Sequence, residues 1–159
     1  MSEQTERMHR LSASAVVGAP PARVWEVLTD YRDEHARILP RPPFGSMEVE
    51  QGGRGAGTVI LLEMRAFGTT RTTRGFVTEP EPGRFLVESY PDAGIVTSFR
   101  VDPGPRDGEA EVTIASELPA RGGIAGVLER WMVGRFLRGV YARELAQLDA
   151  HVREHPRRG

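Results

Sequence analysis

The sequence predicts a single α+β domain: a curved antiparallel sheet of about seven strands wrapped on one long C-terminal helix, with two short helices between strands 1 and 2. Three observations predict it. The chain ends in a continuous helical stretch, Gly123 to Val152. Before that runs an unbroken series of strand-like segments, separated by Gly and Pro turn signals at hairpin spacing, which marks an antiparallel meander rather than βαβ units. A short helix pair, Pro21 to Leu39, sits just after the first strand. One helix laid on one curved sheet does not close its core as two packed sheets do. It leaves a hollow, and apolar hollows take small molecules.

Each element has its own signal. Leu11 to Val17 reads as a first strand rich in small residues. Pro20 and Pro21 start a helix, because proline is tolerated in the first turn, and Val24, Val27 and Leu28 share one face of it beside Trp25. Asp30 is placed to cap a second short helix, with Asp33 adding negative charge at its electropositive end. That helix stops before Pro40, since residues preceding proline avoid the helical region, and Arg41-Pro42-Pro43 reads as an extended linker.

From Phe44 the period changes to two. The expected strands are Ser46 to Gln51, Thr58 to Ala66, Thr69 to Glu79, Arg84 to Tyr90, Ile95 to Asp102 and Glu109 to Leu118. Gly52 to Gly57 is a flexible hairpin, and Gly68 marks a tight reversal. Alternation puts Ile60, Leu62 and Met64 on one face, and Ile95, Thr97, Phe99 and Val101 on one face. It sets Phe85 and Val87 against Arg84, Leu86 and Glu88. The Thr69 strand is ambiguous between Thr70, Thr72, Arg74 and Phe76 on one face and Thr73, Gly75 and Val77 on the other. In the last helix, Val140, Tyr141, Leu145, Leu148 and Val152 form an apolar stripe. The first half of that helix, Val127 to Leu137, is apolar nearly all round, which suits a pocket, a partner subunit or a lid.

Composition bounds the function. With 159 residues the chain suits one domain, and 39% hydrophobic with 27% charged residues is ordinary for a globular protein. A net charge of −1 gives no field favouring nucleic acid or an anionic membrane. The chain has no cysteine, which excludes disulfides, thiolate metal sites and a thiol nucleophile and is compatible with a reducing cytoplasm, the expected location. No apolar run approaches transmembrane length, and the N-terminus lacks a signal-peptide core. Residues 1–8 read as a disordered polar tail, 9–153 as the domain and 154–159 as a small basic tail.

The segment Pro21-Ala22-Arg23-Val24-Trp25-Glu26-Val27-Leu28-Thr29-Asp30-Tyr31 resembles the P-x-x-V-W-x-x-L-x-D stretch of the START-like, Bet v 1-type superfamily. That group includes bacterial polyketide cyclase/dehydrase and lipid-transport proteins. Ile38-Leu39-Pro40 is similar to the end of its second short helix. The resemblance covers nearly the whole chain and implies the helix-grip fold, in which sheet and C-terminal helix enclose a cavity for a lipid or polyketide-like molecule. It does not choose among carriers, receptors, cyclases and chaperone activators.

The expected ligand-binding set is Ile60, Leu62, Met64, Arg74, Phe76, Phe85, Val87, Tyr90, Phe99, Trp131, Arg135 and Phe136. The apolar members fill either a pocket or a solid core. Arg74 and Arg135 either anchor a carboxylate or carbonyl or are surface residues packing their stems. Tyr31 and Tyr90 offer hydroxyl contacts. His35 is read as an exposed helix histidine, because no orienting carboxylate is evident, although as a neutral imidazole near the pocket mouth it would suit acid–base work. His9, His151 and His155 lie near the chain ends, and the i,i+4 spacing of the last two finds no acid to complete a metal site. No metal or cofactor is expected. The expected activities are binding of a small hydrophobic or amphipathic molecule, cyclase/aromatase chemistry on a ligand held in the same cavity, or association, for example as a homodimer, through the apolar half of the last helix.

Overall fold

The computed structural model describes residues 7–120 and 122–156. The chain runs β1 (Arg7–Val17), α1 (Pro21–Thr29), α2 (Glu34–Ile38), β2 (Phe44–Gln51), β3 (Val59–Ala66), β4 (Thr69–Glu81), β5 (Phe85–Tyr90), β6 (Ile95–Pro103), β7 (Ala110–Ala120) and α3 (Gly123–Glu154). The seven strands form one antiparallel sheet in the order β1-β7-β6-β5-β4-β3-β2. Strands β2 to β7 are a meander, and β1 returns beside β7, with Arg7 opposite Ala120 and Val17 opposite Ala110. This is the helix-grip arrangement, with α3 lying across the sheet.

Local chemistry explains the junctions. Pro20 precedes α1 in an extended conformation and its carbonyl accepts from the amides of Arg23 and Val24, so the first turn forms around a residue that needs no amide hydrogen. Val24, Val27 and Leu28 are fully buried. Asp33, not Asp30, is the residue before α2; Asp30 instead holds the preceding turn by accepting the Asp33 amide at 3.3 Å. Arg41 to Pro43 is a compact turn rather than an extended linker, closed by the Phe44 amide on the Pro40 carbonyl at 3.1 Å. β1 begins at Arg7, four residues before Leu11, because β7 continues to Ala120 and offers it partners. Residues 1–6 and 157–159 of the expected tails lie outside the described residues.

The β3–β4 reversal is a two-residue turn in which Phe67 (φ 52°) and Gly68 (φ 75°) both have positive φ. Glycine takes that conformation freely, whereas phenylalanine does so at a cost of about 1–2 kcal/mol.

The core sits where α1, α2 and the second half of α3 meet the inner face of the sheet: Leu28, Ile38, Ile114, Leu145 and Leu148 are fully buried there. Val140, Tyr141, Leu145, Leu148 and Val152 of α3 are buried as a stripe. The first half of α3 is different. Ile124, Val127, Leu128, Trp131 and Met132 are exposed, Ile124 by 91%.

Two strand phases differ from the apolarity reading. The inner face of β5 carries Leu86, Glu88 and Tyr90, so Phe85 and Val87 face outward. A buried carboxylate inverts the expected assignment. In β4, Gly75 and Val77 are buried and Phe76 is 42% exposed, which resolves the ambiguous threonine-rich strand.

Candidate functional site

A cavity of about 220 Å³ lies between the sheet and α3. Its floor and sides come from Ile60, Leu62 and Met64 of β3, Phe99 of β6 and Leu118 of β7. Val133, Phe136 and Leu137 of α3 close it from above, with Phe44 and Met47 of β2 at one side. Phe67, at the tip of the β3–β4 turn, also lines it while 61% exposed, so the cavity reaches solvent beside this hairpin. The rings of Phe67 and Phe136 meet there at 5.2 Å.

Apart from Thr73 of β4, the polar lining groups come from α2, β5, β6 and the middle of α3: His35, Glu88, Tyr90, Thr97, Tyr141 and Glu144. Glu88 is the hub. The hydroxyls of Tyr31 and Tyr90 donate to its two oxygens, Oε1 and Oε2, each at 2.7 Å. His35 Nδ1 lies 2.7 Å from the Leu28 carbonyl and therefore carries a hydrogen. Its Nε2 then faces Glu88 Oε1 at 3.6 Å, a contact that is attractive with a proton between them. The imidazole is stacked on Tyr31 at 4.5 Å and meets the edge of Phe99 at 5.6 Å. Thus His35 is not an exposed helix residue; it is 2% exposed, and its carboxylate partner comes from β5 rather than from its own helix.

Tyr90 lies flat across Gly75 of β4. A Cβ at Gly75 would stand 2.6 Å from Tyr90 Cε1, so only glycine lets the ring take this position. Burial, with the Glu88 charge second, pushes the hydroxyls of Tyr31 and Tyr90 well above the ordinary tyrosine range. Thr97, Ser116 and Tyr141 form a second chain, with Thr97 Oγ1 2.7 Å from Ser116 Oγ and Ser116 bonded in turn to the Tyr141 hydroxyl. Burial pushes the Tyr141 hydroxyl up to about 12.

Glu144 completes the wall. It is 3% exposed, and its Oε1 has no hydrogen-bond partner. Desolvation, reinforced by the nearby Glu88 charge, holds its carboxyl well above the usual carboxylate range, so it tends to stay protonated. The wall therefore offers a carboxylate surrounded by donors beside a carboxylic acid with a free oxygen. Two carboxyl groups in such different settings can hold and exchange protons.

Residues 8–153 match the family described as polyketide cyclase / dehydrase and lipid transport. The chain belongs to that family. Its structure is similar to the NMR structure of the KanY protein, at 22% identity and TM-score 0.79, over 92% of this chain and 99% of that one. It is also similar to the ZhuI aromatase/cyclase from Streptomyces sp. R1128, at 19% identity and TM-score 0.72, over 95% and 97% of the two chains. A START superfamily protein from Mycobacterium smegmatis matches at 14% identity and TM-score 0.71, over 92% and 98%. At these identities the likeness concerns the fold. No curated protein matches the chain.

Within this family fold the expected ligand-binding residues divide evenly. Ile60, Leu62, Met64, Tyr90, Phe99 and Phe136 line the cavity. The other six lie off it. Phe76 and Val87 face outward, and Phe85 lies under the guanidinium of Arg100 at 4.8 Å. Arg74 pairs with Glu50 at 2.6 Å on the outer surface, and Arg135 sits over the ring of Trp131 at 5.6 Å. Trp131 is 61% exposed, on the part of α3 that lies beyond the sheet's cover. Among the described residues the cavity lining contains no arginine, and the chain contains no lysine to supply a Schiff-base amine.

Sequence reasoning missed Glu88 and Glu144. Both carried a positional signal: Glu88 alternates with Leu86 and Tyr90, and Glu144 falls between Tyr141 and Leu148 on the apolar stripe of α3. An acid in phase with a buried stripe is the informative feature.

A second cluster lies at the other end of α3. Arg23 donates to both oxygens of Glu34, at 2.6 and 3.1 Å, and to the carbonyl of His155. His151 Nε2 lies 3.1 Å from Glu34, and the His151 and His155 rings stack at 4.6 Å. The Arg23 hydrogen bond, with His151 adding to it, lowers the Glu34 carboxyl to about 2. This clamp ties α1 and α2 to the end of α3. Among the described residues no group of three or more His, Asp or Glu could hold a metal ion.

Proposed function

We propose that the chain binds a small hydrophobic or amphipathic molecule in the cavity between sheet and α3, with the ligand's polar end against the Glu88–Glu144 wall. The observation that carries this is the uneven lining: mostly apolar side chains, with Thr73 of β4 as an isolated hydroxyl among them, and His35, Glu88, Tyr90, Thr97, Tyr141 and Glu144 grouped on the side of α2, β5, β6 and α3. Such a pocket gains affinity from apolar burial and orientation from a few placed polar groups. Apolar cavities of about 150 Å³ hold benzene, so one of about 220 Å³ suits a substituted monocyclic or small bicyclic molecule. Ile60, Leu62, Met64, Phe99 and Phe136 are the proposed apolar contacts, and Tyr90 a proposed polar one. The direct test is saturation-transfer NMR with 1-naphthol. Transfer is expected in the wild type and lost in Leu62→Trp, which fills the cavity; no transfer in the folded wild type refutes the reading.

A second reading is favoured by the same wall: proton-transfer chemistry of the cyclase/dehydrase type. A protonated Glu144 donates to a ligand carbonyl, and the His35–Glu88 pair accepts a proton from a carbon acid held beside it. Glu88→Gln and Glu144→Gln would then abolish turnover of a bound poly-β-carbonyl substrate while retaining binding. The exposed apolar face of α3, from Ile124 to Met132, favours self-association as a further property, and light scattering across a concentration series reads it directly. We place the chain in the cytoplasm, in keeping with its lack of cysteine; among the described residues no helix is long and apolar enough to cross a membrane.

A further inference from the structure

The cavity has an unusual charge inventory. Two carboxyl groups, Glu88 and Glu144, open onto it, and among the described residues no arginine does; the chain has no lysine. Their situations differ. Glu88 is saturated by the hydroxyls of Tyr31 and Tyr90 and faces His35. Glu144 is buried with Oε1 unpartnered. An unpaired buried polar atom is costly in the empty protein, and the cost is recovered by a ligand that donates to it.

The groups facing Glu144 narrow the donor. They are Tyr141 on its own helix, Glu88 and Tyr90 from β5 and Tyr31 from the segment joining α1 to α2, with His35 of α2 on the same wall. Apart from His35, which Glu88 engages, these are acids or aromatic hydroxyls. Tyr90 and Tyr141 both line the cavity, and aromatic rings attract cations. A carboxylate ligand would bring a third acid to this wall with no guanidinium to receive it. An ammonium group finds both an acceptor and aromatic rings.

Resting on the binding reading above, we propose that this cavity selects molecules that present a protonated amine to Glu144, over alcohols and carboxylates built on the same apolar skeleton. Binding then ionises Glu144. The amine arrives as the ammonium, the carboxyl proton passes to solvent, and an ammonium–carboxylate pair forms in the cavity. Amine binding is thus accompanied by net proton release.

The experiment is isothermal titration calorimetry of the full chain at pH 7 with 2-phenylethylamine, 2-phenylethanol and phenylacetate, repeated in buffers of different ionisation enthalpy. The amine is expected to bind about tenfold more tightly than the alcohol, as a charge-assisted bond replaces a neutral one, and phenylacetate to bind weakest. Net proton release is expected for the amine and none for the alcohol. Glu144→Gln should abolish both the preference for the amine and the proton release. The proton count on the wild type needs no variant, so a poorly folding substitution leaves the test standing. Equal or tighter binding of the alcohol, tighter binding of phenylacetate, or amine binding without proton release overturns the proposal and leaves the binding reading in place. Absence of binding by all three overturns both.

Discussion

Replacing Glu144 by glutamine isolates the cost of burying its carboxyl. The folded-state pKa of Glu144 is raised, first by burial and then by the Glu88 charge. The unfolded chain titrates it near 4.5. Between that pH and the folded-state value, the unfolded state has released a proton that the folded state keeps. Stability then falls with rising pH, by about 1.4 kcal/mol per pH unit for one proton. Below 4.5 both states hold the proton and the contribution vanishes. Glutamine keeps the shape and does not titrate. The difference in stability between Glu144→Gln and wild type should therefore grow in favour of the variant as pH rises from 4.5, and level off once the folded carboxyl ionises. For a chain of this size about 1.4 kcal/mol corresponds to a shift of roughly 3–6 °C in melting temperature. Thermal melts of both proteins every half pH unit from 4 to 8 measure it. Parallel curves would refute the argument, because they would mean that Glu144 ionises in the folded protein as freely as in the unfolded one.

Other perturbations read other parts of the structure. Glu88→Gln should destabilise the fold by about 2 kcal/mol, since two tyrosine hydroxyls lose a charged acceptor, and should move the Glu144 transition to lower pH by removing a neighbouring charge; melts of the double variant test the coupling. Gly75→Ala places a Cβ 2.6 Å from the Tyr90 ring and should cost about 1–3 kcal/mol, with a change in near-ultraviolet circular dichroism as Tyr90 leaves Glu88. Glu34→Gln should cost up to about 3 kcal/mol at pH 7, the worth of a carboxyl lowered from 4.5 to about 2; in the wild type this stability is present above 4.5 and lost as pH falls through 2, so the variant's acid-denaturation profile should flatten there. Phe67→Asn relieves a positive φ but removes the ring that meets Phe136 beside the cavity, so net stability should change by less than about 1 kcal/mol while ligand dissociation, followed by stopped flow, becomes several-fold faster.

The order of elements was legible because each carries a local signal: paired prolines before α1, Pro40 after α2, and turn residues between strands of period two. The apolar side of the cavity was legible from the same alternation, which puts Ile60, Leu62 and Met64 together on β3. Its polar wall was not. Assigning β5 by apolarity turns Phe85 and Val87 inward, whereas the strand turns Glu88 inward because Tyr31 and His35, from the region of α1 and α2, join Tyr90 of the same strand to receive it. Tyr31 lies 57 residues away in sequence, and no window on β5 contains it or His35. Trp131 fails for a related reason. An apolar helix face predicts burial only where another element reaches it, and this part of α3 remains exposed in the described chain.

The two acids that periodicity passed over also have different jobs, and the distinction follows from their bonds. Glu88 receives two hydroxyls and faces an imidazole, so its geometry is fixed from three directions; it orients Tyr90 and His35 at the cavity wall. Glu144 is held by its place on the α3 stripe, between Tyr141 and Leu148; its Oε1 is buried without a hydrogen-bond partner and the residue lines the same cavity. A fold selected for stability alone would place leucine there, as it does at Leu137 and Leu148 on the same stripe. Retaining an acid at that position costs stability at neutral pH, which is the pattern of a site kept for what it binds rather than for what it holds together. Opposite signs for Glu88→Gln and Glu144→Gln in the melts described above would separate the orienting carboxylate from the ligand-facing one without any knowledge of the ligand.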